Sequence, residues 1–164
     1  MNIKEILLDM INRQKRLDIA MYGSNNASYD RERTRLALID EIGELNHELK
    51  AVWCWWKKTQ KPVNREKVLG ELADLWHFAL NIFYHEYPYV TDDFLDKSVT
   101  IEGVDIAQLN VSTIYYSLID LYQDNWILKN MFILSLRLGF TFEEVYEAYK
   151  TKNEINYQRI ASGY

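Results

Sequence analysis

Apolar residues recur at three-to-four spacing through most of this chain, and little interrupts them: two prolines and six glycines are spread over 164 residues. That periodicity lays one apolar stripe along each helix and leaves little of the alternation that marks half-buried strands. The pattern predicts an all-α fold, a compact multi-helix bundle forming a single domain over residues 1–164. Helices are expected at about 3–21, 29–57, 65–86, 106–123, 126–138 and 142–155. "SVTIEGVDI" is the one segment with an extended pattern.

The breaks have local causes. "YGSNNAS" is turn chemistry, "TQKPVN" separates the second and third expected helices, and "YHEYPYVTDD" ends the third. Thr141 followed by Glu144 is a capping-box pattern opening the last helix. Short connections between long helices favour antiparallel neighbours, so the second and third helices are expected to pack side by side.

Hydrophobic residues make up 48% of the chain, enough for a core without disulfides, and the single Cys54 allows no internal disulfide and no thiolate metal cage. A reducing, cytoplasmic setting fits that usage. Charges interrupt the apolar pattern of the N-terminal segment, and no run reaches the roughly 18 apolar residues of a membrane span, so no membrane association is expected. The formal net charge of −5 disfavours nucleic acid as a partner, although an acidic protein still takes a phosphorylated ligand through a divalent cation and local lysines.

"LIDEIGELNHELK", residues 38–50, concentrates Asp40, Glu41, Glu44 and Glu48 on one amphipathic helix. With about 100° per residue, Glu41 and Glu44 lie about 60° apart and Glu48 falls between them one turn on. This strip flanks the apolar stripe of Leu38, Ile42, Leu45, Leu49 and Val52, while Asp40 points away. "LGELADLWHFAL" repeats the device with Glu71 and Asp74 beside Leu72, Leu75, Ala79 and Leu80. Acid pairs of this spacing are common on solvated helix faces. Two pairs on adjacent antiparallel helices converge, and converging carboxylates repel unless cations sit between them. Hard oxygen donors without thiolate suit Mg²⁺, with Mn²⁺ as the alternative.

A rival metal reading comes from Glu44 with His47 and Asp74 with His77, which imitate the acid-x-x-His spacing of di-iron carboxylate bundles. Such bundles need a glutamate from each of two further helices, and none is evident. Asn81, seven residues beyond Asp74, continues the carboxylate strip toward a phosphate or a water, or serves as a polar seam residue. Lys152 and Arg159 are seven apart with Asn156 between them, one face if the last helix continues. They offer two cations to phosphate oxygens or complement the helix dipole.

These motifs resemble one family. "EIGE", then "ELAD" after a loop, and the C-terminal "YKTKNEINYQRIASGY" are similar to the dimeric all-α dUTPases, relatives of the MazG-type nucleotide pyrophosphatases. The resemblance runs along the whole chain; the paired acidic motifs mark the wider superfamily and the tail narrows it to dUTPases. It implies a homodimer that hydrolyses dUTP, and often dUDP, to dUMP by attack of water on phosphorus. Divalent metal would be held by Glu41, Glu44, Glu71 and Asp74. Glu44 or Glu41 would also handle the attacking water, with Glu44 favoured.

The resemblance further implies substrate contacts. Gln14, in "INRQKRL", corresponds to a residue near the uracil, Lys152, Asn156 and Arg159 serve the phosphates, and Tyr164 closes over the ligand. In "VWCWWKK" the family's usual lysine near Cys54 is missing, but Trp56 fits as an apolar wall near the base and Lys57 as a phosphate-side cation. The nearest alternative substrate is another nucleotide such as dCTP. Residues 88–110 match least, and Asp92, Asp93 and Asp96 there read as a solvated face.

Overall fold

A computed structural model describes residues 1–120 and 126–163. Its elements are α1 (Ile3–Asn25), α2 (Arg31–Glu48), a short α3 (Lys50–Trp53), α4 (Arg65–Glu86), α5 (Asp92–Val99), a 3₁₀ turn at Ile106–Gln108, α6 (Val111–Ile119), α7 (Ile127–Arg137) and α8 (Phe142–Ser162). No strand occurs among the described residues, so "SVTIEGVDI" is not extended structure. Thr91 caps α5 by accepting from the Phe94 amide at 3.2 Å, and Asp92 and Asp93 sit in its first turn, where the helix dipole favours them.

Caps account for most boundaries. Asn2 and Glu5 form a reciprocal box at the start of α1, and Thr141 and Glu144 form the expected one at the start of α8. α1 continues to Asn25 because the left-handed cap falls at Asn26 (φ 49°). α8 runs past residue 155 to Ser162 and ends at Gly163, whose φ of 76° favours a residue without a β-carbon. Its extra two turns make Asn156 and Arg159 helical.

The expected helix 29–57 is interrupted at Leu49, where the Trp53 indole folds back to donate to the Asn46 carbonyl at 2.7 Å and satisfies an orphan group of the helix end. Val52, assigned to the apolar stripe, is consequently 76% exposed. The expected helix 106–123 starts later, because the Asp105 side chain accepts from the Ala107 amide and closes the 3₁₀ turn first. Residues 121–123 of that expectation lie outside the described residues.

α4 is the axis of the bundle. It packs most extensively on α2 and also touches α1, α7 and α8. Contacts along α2 and α4 run in opposite order. The Tyr29 hydroxyl, just before α2, donates to Glu86 at the end of α4 at 2.8 Å, whereas Glu41 and Glu44 meet Glu71 near its start. The continuous core includes Met10, Leu45, Leu72, Leu75, Trp76, Leu80, Phe83 and Tyr149, all essentially without solvent exposure. No helix among the described residues is long and apolar enough to cross a membrane.

Trp76 fills the centre of this core and donates its indole N–H to the Ser135 hydroxyl at 3.1 Å. Replacing Trp76 with alanine removes a large apolar surface and one buried hydrogen bond, the Ser135 hydroxyl keeping its own donation to the Met131 carbonyl at 2.8 Å. Chemical denaturation should show a loss of about 3–5 kcal/mol, with the midpoint lowered accordingly.

Candidate metal and nucleotide site

Packing of Leu38, Ile42 and Leu45 against α4 turns the neighbouring face of α2 along the seam. Carboxylate oxygens of Glu41, Glu44 and Glu71 come within 4.8 Å of one another. Glu41 is the most constrained. Its Oε2 is buried without a hydrogen-bond partner among the described residues. Burial first, then the negative charges of Asp74, Glu44, Glu71 and Asp40, push its carboxyl up to about 7. Glu71 is also raised, mainly by burial, with Lys152 opposing the shift and Asp74, Glu44 and Glu48 adding to it. Glu44 is exposed.

Asp74 stands beside this group and is ion-paired to Lys152, which reaches across from α8. The lysine stem lies over Gly70, its Cε 3.7 Å from where a β-carbon would stand. The donor set fits a divalent cation. It is all hard oxygen, one oxygen is orphaned, and burial together with the neighbouring carboxylates raises one carboxyl to about 7.

Neither histidine joins the carboxylates. His47 is exposed, whereas His77 is buried with Nδ1 2.8 Å from the Ala73 carbonyl and its ring stacked on Tyr149 at 4.3 Å. Burial lowers the His77 imidazole to about 4, so it is neutral. The acid-x-x-His geometry of a di-iron bundle is therefore not assembled.

A second polar group lies further along α4. Asp18 accepts from Gln14 at 2.8 Å, from Asn81 at 2.6 Å and from the Tyr84 hydroxyl at 2.7 Å. Tyr149 donates to the side-chain amide oxygen (Oε1) of Gln14 at 2.9 Å, and Asn81 also donates to the Tyr22 hydroxyl at 2.9 Å. The oxygen of Asn81 and the amide nitrogen of Asn153 are buried without partners among the described residues.

Asp18 and Asn153 escaped the sequence reading. The available signal was a polar residue at a buried helical position: Asp18 follows Gln14 by one turn on the face of Ile11, and Asn153 follows Tyr149 in the same way.

The remaining expected residues are scattered. Asn156 accepts from Arg159 at 3.2 Å, and Arg159 is exposed on the same face of α8 as Lys152. Trp56 is 57% exposed in an aromatic cluster with Trp53 and Trp55, and Lys57 is exposed beside it. No hydrogen bond, ion pair or ring contact joins either to the carboxylates among the described residues. Tyr164 lies outside the described residues.

Fold and site together define an all-helical protein with a hard-oxygen carboxylate group in a helix seam. A family model described as dUTPase matches residues 6–164, and the chain belongs to the all-α dUTPase family. No curated protein matches the chain significantly. Family membership assigns hydrolysis of dUTP, a nucleotide substrate and general dependence on metal.

Asp18 gives a pH-dependent stability that can be measured. Burial raises its carboxyl to about 6, against the donors Tyr84, Gln14 and Asn81 that favour the charged form. Its folded pKa is above the unfolded value, so the folded chain holds the proton more tightly. Its contribution is complete below about pH 4 and is lost as pH rises toward 6. Asp18→Asn should remove about 3 kcal/mol of that slope between pH 4 and 6, read from urea unfolding at each pH.

Proposed function

We propose that the protein is a Mg²⁺-dependent dUTP pyrophosphatase, a cytoplasmic homodimer and single all-α domain that releases dUMP and pyrophosphate, with Mn²⁺ as a substitute metal and dUDP as a second substrate. The observation that carries this reading is the convergence of Glu41, Glu44 and Glu71, with Asp74 held beside them by Lys152. Exposed Leu36 and Ile39 on α2, adjoining a cavity of about 220 Å³ lined by Arg35, Leu38, Ile39 and Ile119, support a partner copy on that face.

Glu41, Glu44, Glu71 and Asp74 would hold the metal. When bound, a divalent cation neutralises polyphosphate charge, polarises phosphorus and acidifies water. Glu44, which is exposed, would take the proton from a water whose oxygen bonds to a phosphorus of the α–β bridge. The bond from that phosphorus to the bridging oxygen breaks, and the other fragment leaves with the electron pair, giving dUMP and pyrophosphate. Glu41, more buried, fixes the geometry of the group.

Positioning and charge stabilisation dominate phosphoryl transfer, so no nucleophilic serine or cysteine is needed. Lys152, Asn156 and Arg159 supply donors for phosphate oxygens along one face of α8. On this reading Gln14 and Asn81 would serve the uracil, Lys57 would add a phosphate-side cation and Tyr164 would close over the ligand, whereas Trp56, beside Lys57, makes no contact with Gln14 or Asn81 among the described residues.

Purified protein incubated with a nucleotide panel and Mg²⁺ should convert dUTP to dUMP and pyrophosphate, leave dCTP intact, and stop when EDTA is added; intact dUTP under metal-replete conditions contradicts the reading. Glu44→Gln and Glu71→Gln should each reduce turnover by about 10²–10⁴-fold while the far-ultraviolet circular dichroism stays helical.

A further inference from the structure

We propose that a lysine-lined cavity at the start of α4 receives the terminal phosphates of the substrate and the pyrophosphate that leaves, an inference that rests on the dUTP reading above. The cavity, about 260 Å³, is lined by Lys50, Gln60, Lys61 and Lys67 and also by His47 and Glu48. Nothing in the family-like motifs includes these lysines.

Three observations converge on an anion of this kind. The first is position. Asn81, His77, Asp74, Glu71 and Lys67 follow one another along α4 at steps of three or four residues, so they share one side of the helix, each about 5 Å beyond the last. With the uracil at the Gln14–Asn81 end and the reacting phosphorus at Asp74 and Glu71, one further turn brings the distal phosphates to Lys67. Glu48 links the two regions, because it borders the cavity and its charge also acts on Glu71.

The second is charge. Three lysines face one carboxylate here, in a chain whose net charge is −5. Arg65, in the same first turn as Lys67, is committed elsewhere: it pairs with Glu144 at 2.8 Å and donates to the Gly139 carbonyl at 3.2 Å. Lys50, Lys61 and Lys67 make no ion pair among the described residues. Lys67 sits beside Glu66 in the first turn of α4, at the positive pole of the helix dipole, which favours an anion there.

The third is shape. The cavity is concave and bounded by Pro62 and Gln60, which suits a compact phosphate group held by several ammonium donors. A flat basic surface for an extended polyanion would look different.

Lys61→Gln/Lys67→Gln, and Lys61→Gln alone, are compared with the wild type in the metal-loaded enzyme. Lys61 lies outside any helix, so the single variant leaves α4 untouched. The readouts are KM for dUTP, inhibition by inorganic pyrophosphate and inhibition by dUMP, which lacks the terminal phosphates. The double variant should raise KM for dUTP and weaken pyrophosphate inhibition by about tenfold or more, as expected for lost charge-assisted contacts, with the single variant intermediate. Inhibition by dUMP should stay within about twofold of wild type.

Unchanged dUTP KM and pyrophosphate inhibition overturn the inference, and so does parallel weakening of dUMP. Absence of dUTP turnover in the wild type instead overturns the functional reading on which the inference rests.

Discussion

Repulsion among carboxylates in the seam between α2 and α4 is the constraint around which the site is organised. Apolar packing of Leu38, Ile42 and Leu45 against α4 commits the adjacent face of α2 to that seam, and Glu41, Glu44 and Glu71 are carried there with it. Each would be better solvated apart. The cost shows most clearly at Glu41, whose half-buried carboxyl is driven to about 7 by burial first and by its acidic neighbours second. Lys152 offsets part of it by pairing with Asp74 and by favouring the charged form of Glu71. A lysine on α8 thus partly balances a charge problem created by α2 and α4, leaving a site that gains from a further cation.

α4 touches most of the bundle and carries three kinds of polar group along one axis. Its C-terminal half carries Asn81 and Tyr84 into the buried group around Asp18 and Gln14, its middle carries Asp74 and Glu71, and its first turn carries Lys67. At one end Asp18 is ringed by neutral donors and neutral His77 stacks on Tyr149. Carboxylates and then lysines follow, the order that the proposed base, reacting phosphate and leaving pyrophosphate would take.

Much of this architecture was legible from spacing. The limits of α4 match the expected 65–86 because Asn64 caps one end and Pro88 follows the other. The convergence of Glu41, Glu44 and Glu71 was legible in the three-residue spacing of the pairs Glu41/Glu44 and Glu71/Asp74 on two helices expected to pack side by side. The end of α2 was hidden because Leu49 and Val52 continue the apolar rhythm past the point where Trp53 folds back. α5 was hidden because eight residues hold too few turns to establish a period. Asp18 was hidden for a different reason: a carboxylate on a helix reads as solvated until its three donors, from Gln14, Asn81 and Tyr84, are known, and two of those come from a distant helix.

The most direct test of the central claim is the melting temperature of the nucleotide-free protein as Mg²⁺ is titrated. A cation bound only by the folded carboxylate group must stabilise the fold by mass action, so the wild type should melt higher with each increment until saturation. Glu41→Gln should melt higher than the wild type without metal, having lost the repulsion, and should respond far less to Mg²⁺. A wild-type melting temperature that does not move with Mg²⁺, or an equal response in Glu41→Gln, would contradict the account.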